Sequence, residues 1–285
     1  MKAISYLHTA ALGLLFFAGI AKDNTISVMS YNVRRKGNDP EEFQWDKRKQ
    51  SLFELALSKE PDAIGFQEVV KGDQFEDLKQ GLPTYQSFGV SRSSKTDSWL
   101  QKAVMRHPKA KDECNPIFYN PKKLKLLKYD AFGINPRAIF FQDWLPRICQ
   151  WGLFQDRETN KKFYLYNTHI SNTSENIRNK QLDMIIKHIA EHTNNDPVIL
   201  MGDFNTHITN DLEKKFAKAR MHHASKAPIV IGPKETRTGW NDNELKEIDH
   251  IVIKNGSAAL YEVVASEKGI YPSDHRPIFT AIVLS

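Results

Sequence analysis

The alternation of apolar and polar residues along the chain predicts a fold built mainly from short β-strands. Ten runs rich in apolar and β-branched residues are separated by polar turn segments, as in packed sheets. They span residues 26–33, 63–66, 85–90, 116–119, 148–154, 163–168, 198–201, 248–253, 260–264 and 278–284. Two segments, 45–58 and 175–192, instead repeat apolar residues at helical spacing. So many strands with so few long helices favour a mixed α/β sandwich, with two packed sheets and helices outside, over a strictly alternating parallel sheet.

The amino-terminal segment has the pattern of a secretory signal peptide. Met1 and Lys2 precede an apolar stretch from 10 to 20, and Gly19 and Ala21 supply the small residues of a cleavage site. The stretch is shorter than the roughly 20 apolar residues needed to span a bilayer. We therefore expect a signal peptide over residues 1–21 and a single domain over 22–285 that is secreted or periplasmic, monomeric and without stable membrane association. The alternative is a buried hydrophobic helix.

Charge and cysteine content narrow the choice of partners only a little. The formal net charge is +6. Basic residues gather at Lys95, Lys102, Arg106, Lys109 and Lys111, and again at Lys122, Lys123, Lys125 and Lys128. Such an excess favours polyanionic partners, although a solvated surface accounts for it equally well. Two cysteines, Cys114 and Cys149, are few for a secreted protein, and strand alternation directs them to opposite sides, so we expect no disulfide.

Six of the predicted strands carry a carboxylate, amide or imidazole near one end. These residues are Asn32, Glu68, His169 with Asn167, Asp203 with Asn205, Asp249, and Asp274 with His275. In α/β folds, sites are assembled at strand ends, because the loops vary there while the sheet holds positions constant. Taken singly, each group is equally well explained as a turn, a helix cap or a surface pair. Their joint occurrence favours a common site.

The types of these side chains limit the chemistry. Oxygen ligands without thiolates suit Mg²⁺ or Mn²⁺, and Glu68 is the best single ligand candidate, with Asn32 and Asp274 beside it. A hydrolase also needs a group that orients or deprotonates water and a donor that stabilises the charge developing on phosphorus oxygens. The candidates for these roles are His169, Asp203, Asn205 and His275.

Six short motifs occur in an order that resembles the endonuclease/exonuclease/phosphatase superfamily, which includes DNase I and the deadenylase-type nucleases. They are Ser-Tyr-Asn-Val-Arg (30–34), Gln-Glu (67–68), Asn-Thr-His (167–169), Gly-Asp-Phe-Asn (202–205), Ile-Asp-His-Ile (248–251) and Ser-Asp-His-Arg-Pro (273–277). The resemblance extends from residue 26 to the carboxyl terminus. It is strongest to small secreted bacterial members, through Trp-Asp-Lys-Arg-Lys (45–49), Pro-Ile-Phe-Tyr (116–119) and Leu-Pro-Arg-Ile-Cys (145–149).

The resemblance implies a four-layer α/β sandwich with a divalent metal at the sheet edge, held by Glu68 with help from Asn32 and Asp274. It implies that Asp203 orients the attacking water, that Asn205 holds a phosphoryl oxygen, and that Asp249 fixes His275 as general base or as hydrogen-bond donor. On shorter motifs, Glu113 matches the acid that pairs with His169, and Arg147 matches a cation that approaches the phosphate. Trp240, in Thr-Gly-Trp (238–240), matches a turn near the substrate, where an aromatic side chain either contacts substrate or packs.

Two departures from the family pattern affect the substrate. Asn120 and Pro121 stand where relatives place a basic residue, and a longer basic segment from Ser91 to Asp112 contains Trp99 and His107. That segment is a base-stacking loop, a lid over a small substrate, or an irregular excursion. The leading hypothesis is a secreted phosphodiesterase that hydrolyses nucleic acid. Alternatives are the same chemistry on a sugar phosphate, inositol phosphate or lipid headgroup, and a non-catalytic binding module.

Overall fold

The computed structural model describes residues 25–37, 39–95, 112–135, 145–267 and 269–285. The predicted signal peptide lies outside these ranges. So do Trp99, His107 and most of the basic segment, of which the structure describes only residues 91–95 and Asp112. Among the described residues, no helix combines the length and apolar character needed to cross a membrane.

The described residues form fifteen strands and four α-helices. The helices are α1 (Trp45–Leu57), α2 (Asp73–Gly81), α3 (Glu175–His192) and α4 (Asn210–Lys218). The strands are β1 (Thr25–Asn32), β2 (Ala63–Gln67), β3 (Val69–Val70), β4 (Gln86–Phe88), β5 (Glu113–Cys114), β6 (Ile117–Tyr119), β7 (Leu124–Gly133), β8 (Ile148–Asp156), β9 (Lys162–His169), β10 (Val198–Asp203), β11 (Met221–His223), β12 (Ile229–Ile231), β13 (Asp249–Lys254), β14 (Gly256–Val263) and β15 (Ile278–Leu284).

Two large sheets pack face to face and carry helices on their outer faces. One sheet has the order β12-β14-β15-β1-β2-β6-β4 and the other β11-β13-β10-β9-β8-β7, while β3 and β5 form a small separate pair. Along β1, Ile26 and Val28 pack between the sheets, whereas Met29 and Tyr31 belong to the cluster that α1 and α2 cover. A third cluster lies between the second sheet and helices α3 and α4. The expected four-layer α/β sandwich is therefore confirmed.

All ten predicted strands and both predicted helices are present. The pattern missed α2, α4 and five strands, of which β7 is the longest. Lys125 and Lys128 interrupt the apolar pattern of β7, because β7 is an edge strand whose residues 127–130 are exposed. Charged side chains are common on edge strands, where they hinder pairing with other molecules.

The two cysteines are free and buried, as expected. Cys114 belongs to the cluster under α1 and α2, and Cys149 belongs to the cluster under α3 and α4. The two thiols therefore lie in different layers of the sandwich.

Strand direction brings the polar motif residues to one edge of the sandwich. The parallel pair β1 and β2 ends with Asn32 opposite Gln67, and the parallel pair β9 and β10 ends with His169 opposite Asp203. Strand β13 runs antiparallel to β10, so its first residue, Asp249, also lies opposite Asp203. Residues far apart in sequence therefore meet at the carboxyl ends of four strands.

Two buried amides join the sheets directly beneath this edge. The Gln67 Nε2 group donates to Asn167 Oδ1 at 2.7 Å, and Asn167 Nδ2 donates to the carbonyl oxygens of Phe66, Asn115 and Pro116 at 2.8, 3.1 and 3.2 Å. Both side chains are fully buried. Because an unpaired amide there would be costly, the bonds set the position of one sheet relative to the other.

Asn120 lies at the opposite end of the first sheet. Tyr119 pairs with Ala63 at the start of β2, and Asn120 N donates to Asp62 O at 2.8 Å. Glu68 follows the other end of β2. The five residues of β2 separate the two places, at a rise of roughly 3.3 Å per residue. Asn120 and Pro121 therefore lie at the end of β2 away from Glu68, and the loss of one substrate contact at this position stays a prediction.

Candidate active site

Asp203 lies at the centre of the site and is almost fully buried. Its Oδ1 accepts a hydrogen bond from the Asn205 backbone N at 2.8 Å, and its Oδ2 accepts one from Asn32 Nδ2 at 2.9 Å. The Nε2 atoms of His169 and His275 lie 3.6 and 3.9 Å from the same Oδ2. Two imidazoles therefore flank one carboxylate oxygen.

Glu68 faces this group from the end of β2. Its Oε1 accepts from Asn32 Nδ2 at 3.3 Å, and its Oε2 accepts from the Arg35 backbone N at 3.3 Å. The backbone of Glu68 has φ of 61°, in the left-handed region that residues with a side chain seldom adopt. Such strain costs about 1–3 kcal/mol and persists where the surroundings enforce it, as at binding sites.

Asp249 holds His275 by a hydrogen bond. His275 Nδ1 lies 2.8 Å from Asp249 Oδ2, so the ring donates from Nδ1 and directs Nε2 toward Asp203. Burial lowers the pKa of His275, but the carboxylates of Asp249, Asp274 and Asp203 outweigh burial and raise this pKa to about 10. The imidazole is therefore positively charged at neutral pH.

His169 has the opposite charge state. Asn205 Nδ2 donates to Ile170 O at 3.0 Å and to His169 Nε2 at 3.1 Å, so Nε2 of His169 acts as an acceptor. Burial and the neighbouring Arg147 guanidinium lower the pKa of His169 well below its usual value, although Glu68 opposes them. His169 is therefore a neutral ring that accepts a hydrogen bond from the Asn205 amide.

The two central carboxyl groups differ in acidity. Burial and the nearby Asp249 carboxylate raise the pKa of Asp203, although His275 opposes them. Burial also raises the pKa of Glu68, but the charges of Arg34 and His275 oppose burial and lower it below its usual value. The site thus combines one strongly acidic carboxylate with one that readily holds a proton.

The donor atoms fit a hard divalent cation. Among the described residues, Glu68, His169 and Asp203 bring ligand atoms within 4.8 Å of one another, and so do Asp203, Asp249 and His275. One oxygen of Asp249, Oδ1, is buried without a hydrogen-bond partner. Carboxylate oxygens are the preferred ligands of Mg²⁺ and Mn²⁺. Glu68, Asp203 and the neutral His169 therefore suit a divalent ion, whereas a protonated His275 has no lone pair to offer one.

The two other predicted metal ligands, Asn32 and Asp274, do not present an oxygen to the central group as Glu68 does. Asn32 presents Nδ2, not oxygen, to Glu68 and Asp203, so coordination by Asn32 requires its amide to turn over. Asp274 is in neither grouping; its Oδ2 lies 3.9 Å from Arg237, and Ser273 separates it from Asn32 by donating to Asn32 O at 2.6 Å. Of the two acidic residues among the predicted ligands, Glu68 lies within such a grouping of described residues and Asp274 does not.

The expected pairing of Glu113 with His169 is wrong in this structure. Glu113 Oε2 lies 2.8 Å from Arg92, and Glu113 Oε1 lies 3.6 Å from Arg35. Both acid and imidazole line a pocket that Arg147 also lines. Glu113 pairs with Arg92 and Arg35 because a buried carboxylate is stabilised best by opposite charges that also donate hydrogen bonds.

Trp240 packs on a neighbouring aromatic ring. Its ring stacks on Phe43, with centroids 4.4 Å apart and planes 1° apart, and the Arg48 guanidinium lies 5.6 Å from its centroid. The packing role that the sequence left open is therefore present, and contact of Trp240 with substrate stays a prediction.

His250 and His223 form a buried chain that the sequence did not mark as functional. His250 Nε2 lies 2.8 Å from Thr206 O, and His223 Nε2 lies 3.0 Å from His250 Nδ1. If His250 donates to the carbonyl, its Nδ1 must accept from His223, so both rings are neutral. Thr206 follows Asn205, so the chain braces the loop that carries the Asn205 amide. His250 belongs to the Ile-Asp-His-Ile motif, from which only Asp249 was assigned a role.

His188 and His192 have the four-residue spacing of a metal-binding pair, but they lie on α3 outside the central group. Their rings stack at 4.0 Å, and His188 Nδ1 lies 3.2 Å from Tyr166 OH. Phe132 stacks on the other side of His188, at 4.0 Å. These contacts make the pair part of an aromatic cluster.

The site lies at one edge of a four-layer sandwich and is built from carboxylates, amides and imidazoles whose donor atoms suit a divalent cation. This combination is typical of the class of metal-dependent phosphoesterases. The sequence profile of the Endonuclease/Exonuclease/phosphatase family matches residues 29–275. The chain belongs to this family, whose members are divalent-metal-dependent hydrolases of phosphoric ester bonds. The family assignment made from the motifs is therefore confirmed.

Solved structures agree with the fold. An endonuclease/exonuclease/phosphatase from Bacteroides vulgatus is 26% identical, with a TM-score of 0.79, over 92% of this chain and 99% of that one. The mannosyl-6-phosphatase Bt3783 of Bacteroides thetaiotaomicron is 24% identical, with a TM-score of 0.76, over 91% and 100%. TDP2 of D. rerio complexed with single-strand DNA product is 18% identical, with a TM-score of 0.63, over 90% and 98%.

Proposed function

We propose that the protein is a phosphodiesterase that hydrolyses nucleic acid by attack of water on phosphorus. The observation that carries the proposal is the group of four arginines beside the central acids. Arg34 and Arg35 contact or act on Glu68, and Arg92 and Arg147 line the adjoining pocket. Several cations around one site suit a substrate with several phosphates.

The proposed roles follow from charge and position. A divalent cation held by Glu68 and its neighbours neutralises phosphate oxygens when bound. Asp203, whose pKa is raised, orients the attacking water and accepts its proton. His275 is held as a cation by Asp249 and donates from Nε2 to the charge that develops on the phosphate oxygens. The geometry thus supports the donor role of His275 over the general-base role.

The Asn205 amide holds the phosphate that is hydrolysed in the proposed complex, and Arg147 lies in the adjoining pocket. Asn205 adopts φ of 50°, which directs its amide toward His169. Groups held rigidly before substrate arrives stabilise the transition state without reorganisation, and removal of one such donor commonly costs about 2.7–4 kcal/mol of activation free energy.

Loss of Asp203 tests the proposal. Purified wild-type protein and Asp203→Ala are compared on DNA, RNA and a panel of phosphomonoesters in Mg²⁺ or Mn²⁺. We expect nucleotide release by the wild type and a loss of at least roughly 10³-fold in the variant. Asp211→Ala is the matched control, because Asp211 is an exposed acid on α4. A folded wild-type preparation that leaves every nucleic acid intact refutes the nuclease proposal.

A sugar phosphate is the second candidate substrate. The observation in its favour is the similarity of this fold, over 91% of the chain, to a mannosyl-6-phosphatase. In the same assay, phosphate release from sugar phosphates without attack on nucleic acid supports the second candidate and rejects the first.

We also propose that the protein acts outside the cytoplasm. The support is the signal-peptide pattern of residues 1–21. Amino-terminal sequencing of protein expressed with its full leader is expected to give a chain beginning at Lys22. An uncleaved amino terminus contradicts the proposal.

A further inference from the structure

We propose that the pocket between Arg92 and Arg147, here called the arginine pocket, binds a second phosphate group of the substrate, next to the phosphate that is hydrolysed. The inference rests on the proposed function and narrows its substrate class. A strand or nucleotide with neighbouring phosphates fills the pocket, whereas a simple phosphomonoester leaves it empty.

The arginine pocket adjoins the reactive group. It is a small pocket that is open toward solvent, and its lining includes Arg92, Glu113, Arg147 and His169. His169 belongs to both places, because its Nε2 lies 3.6 Å from Asp203 Oδ2. A ligand in the pocket would therefore be separated from the phosphorus beside Asp203 and His275 by the His169 ring.

Arg147 provides the evidence for a ligand. The residue is only 7% exposed, and its side chain forms no hydrogen bond or ion pair with any described residue. Its Nε atom is buried without a partner. A guanidinium has five donors, and leaving such a charge buried and unpaired is costly. An anion that enters the pocket would supply the missing acceptors.

The charges around the pocket leave a positive excess. Glu113 is the carboxylate in the lining, and it is already held by Arg92 at 2.8 Å and by Arg35 at 3.6 Å. Arg147 thus shares the Glu113 carboxylate with two other guanidinium groups, both of which lie closer to it in ion pairs. A phosphate dianion matches the planar donor pair of a guanidinium and carries the required charge.

Thymidine dinucleotides test the proposal. The substrates share one internal diester and carry a 5′ phosphate, a 3′ phosphate or neither. Chromatography separates cleavage of the diester from loss of a terminal phosphate. In wild type, we expect kcat/KM for the diester to be at least about 10-fold higher with one of the terminal phosphates. The position of the favoured phosphate tells on which side of the scissile bond the pocket lies.

Arg147→Gln is the test variant. We expect the preference for the phosphorylated dinucleotide to fall below about 3-fold. Arg157→Gln is the matched control and is expected to keep the preference, because Arg157 is exposed and follows the far end of β8. A wild type without preference overturns the proposal. So does an Arg147→Gln loss that is equal for all three dinucleotides, since Arg147 then serves only the scissile phosphate.

A binding measurement separates the proposal from the proposed function. Inorganic phosphate is titrated calorimetrically into metal-free wild type and Arg147→Gln, after circular dichroism has shown both to be folded. We expect at least about 10-fold weaker binding in the variant. Equal binding overturns the arginine pocket as an anion site. Weaker binding by a protein whose wild type leaves dinucleotides intact supports the pocket and rejects the nuclease function.

Discussion

Replacing Asn167 with leucine tests whether this polar motif residue holds the two sheets together. The Asn167 amide donates to three carbonyl oxygens and accepts from Gln67, and all these contacts are buried. Asn167→Leu keeps a similar shape but removes the side-chain donor of these buried carbonyls and the shortest bond of Gln67 Nε2, which keeps Gly65 O and Ser30 Oγ as acceptors. Each buried unsatisfied group costs about 1–3 kcal/mol, so we expect a loss of about 3 kcal/mol in the free energy of unfolding.

The measurement is thermal and urea unfolding followed by circular dichroism, with EDTA present so that metal binding does not contribute. For a domain of this size, 3 kcal/mol corresponds to a fall in Tm of about 6–12 °C. Asn176→Leu is the matched control, because Asn176 is exposed on α3, and its Tm is expected to stay close to that of wild type. A Tm of Asn167→Leu within about 2 °C of wild type refutes the structural role of the amide.

Three further outcomes are expected. Gly202→Ala loses more than about 2 kcal/mol of stability in urea unfolding, because φ is 148° and a Cβ would lie 1.9 Å from Thr168 O; an unchanged midpoint contradicts this. Burial, with Lys226 and His222, lowers the pKa of His223 to about 4, so its stabilising contribution is complete above the unfolded pKa of 6.5 and is lost as pH falls toward 4. The free energy of unfolding is thus expected to fall by up to about 3 kcal/mol over this range in wild type, and less in His223→Gln; equal slopes would count against it. Finally, Mg²⁺ is expected to raise the Tm of wild type in proportion to the logarithm of the Mg²⁺ concentration, and to raise the Tm of Glu68→Gln less. A Tm that does not respond to Mg²⁺ in either protein contradicts a metal site at Glu68.

The alternation of side chains along strands made much of the architecture predictable. Ten strands were visible because every second residue packs between the sheets, as Ile26 and Val28 do in β1. Edge strand β7 was not visible, because exposure of residues 127–130 removes the apolar signal. Short helix α4 was also missed: of its nine residues only Leu212 and Phe216 are buried.

Motif residues could be located by sequence, but their division of labour could not. Asn167 and His169 belong to one motif, yet Asn167 joins the sheets while His169 faces Asp203. The partner of Glu113 was also misjudged, since Arg92 is 21 residues away and carries no signal of its own. Partners of this kind depend on which loops the sheets bring together.

The sequence by itself therefore determined the sandwich, the family and the acids, amides and imidazoles at the strand ends, because local periodicity and short motifs are written in neighbouring residues. Tertiary structure alone decided that Asn32 turns its amide nitrogen to Asp203, that His250 braces Thr206, and that no described residue pairs with the buried Nε of Arg147. The physical reason is that burial and strand register set which charges and donors share a cavity. Both are properties of the packed chain as a whole.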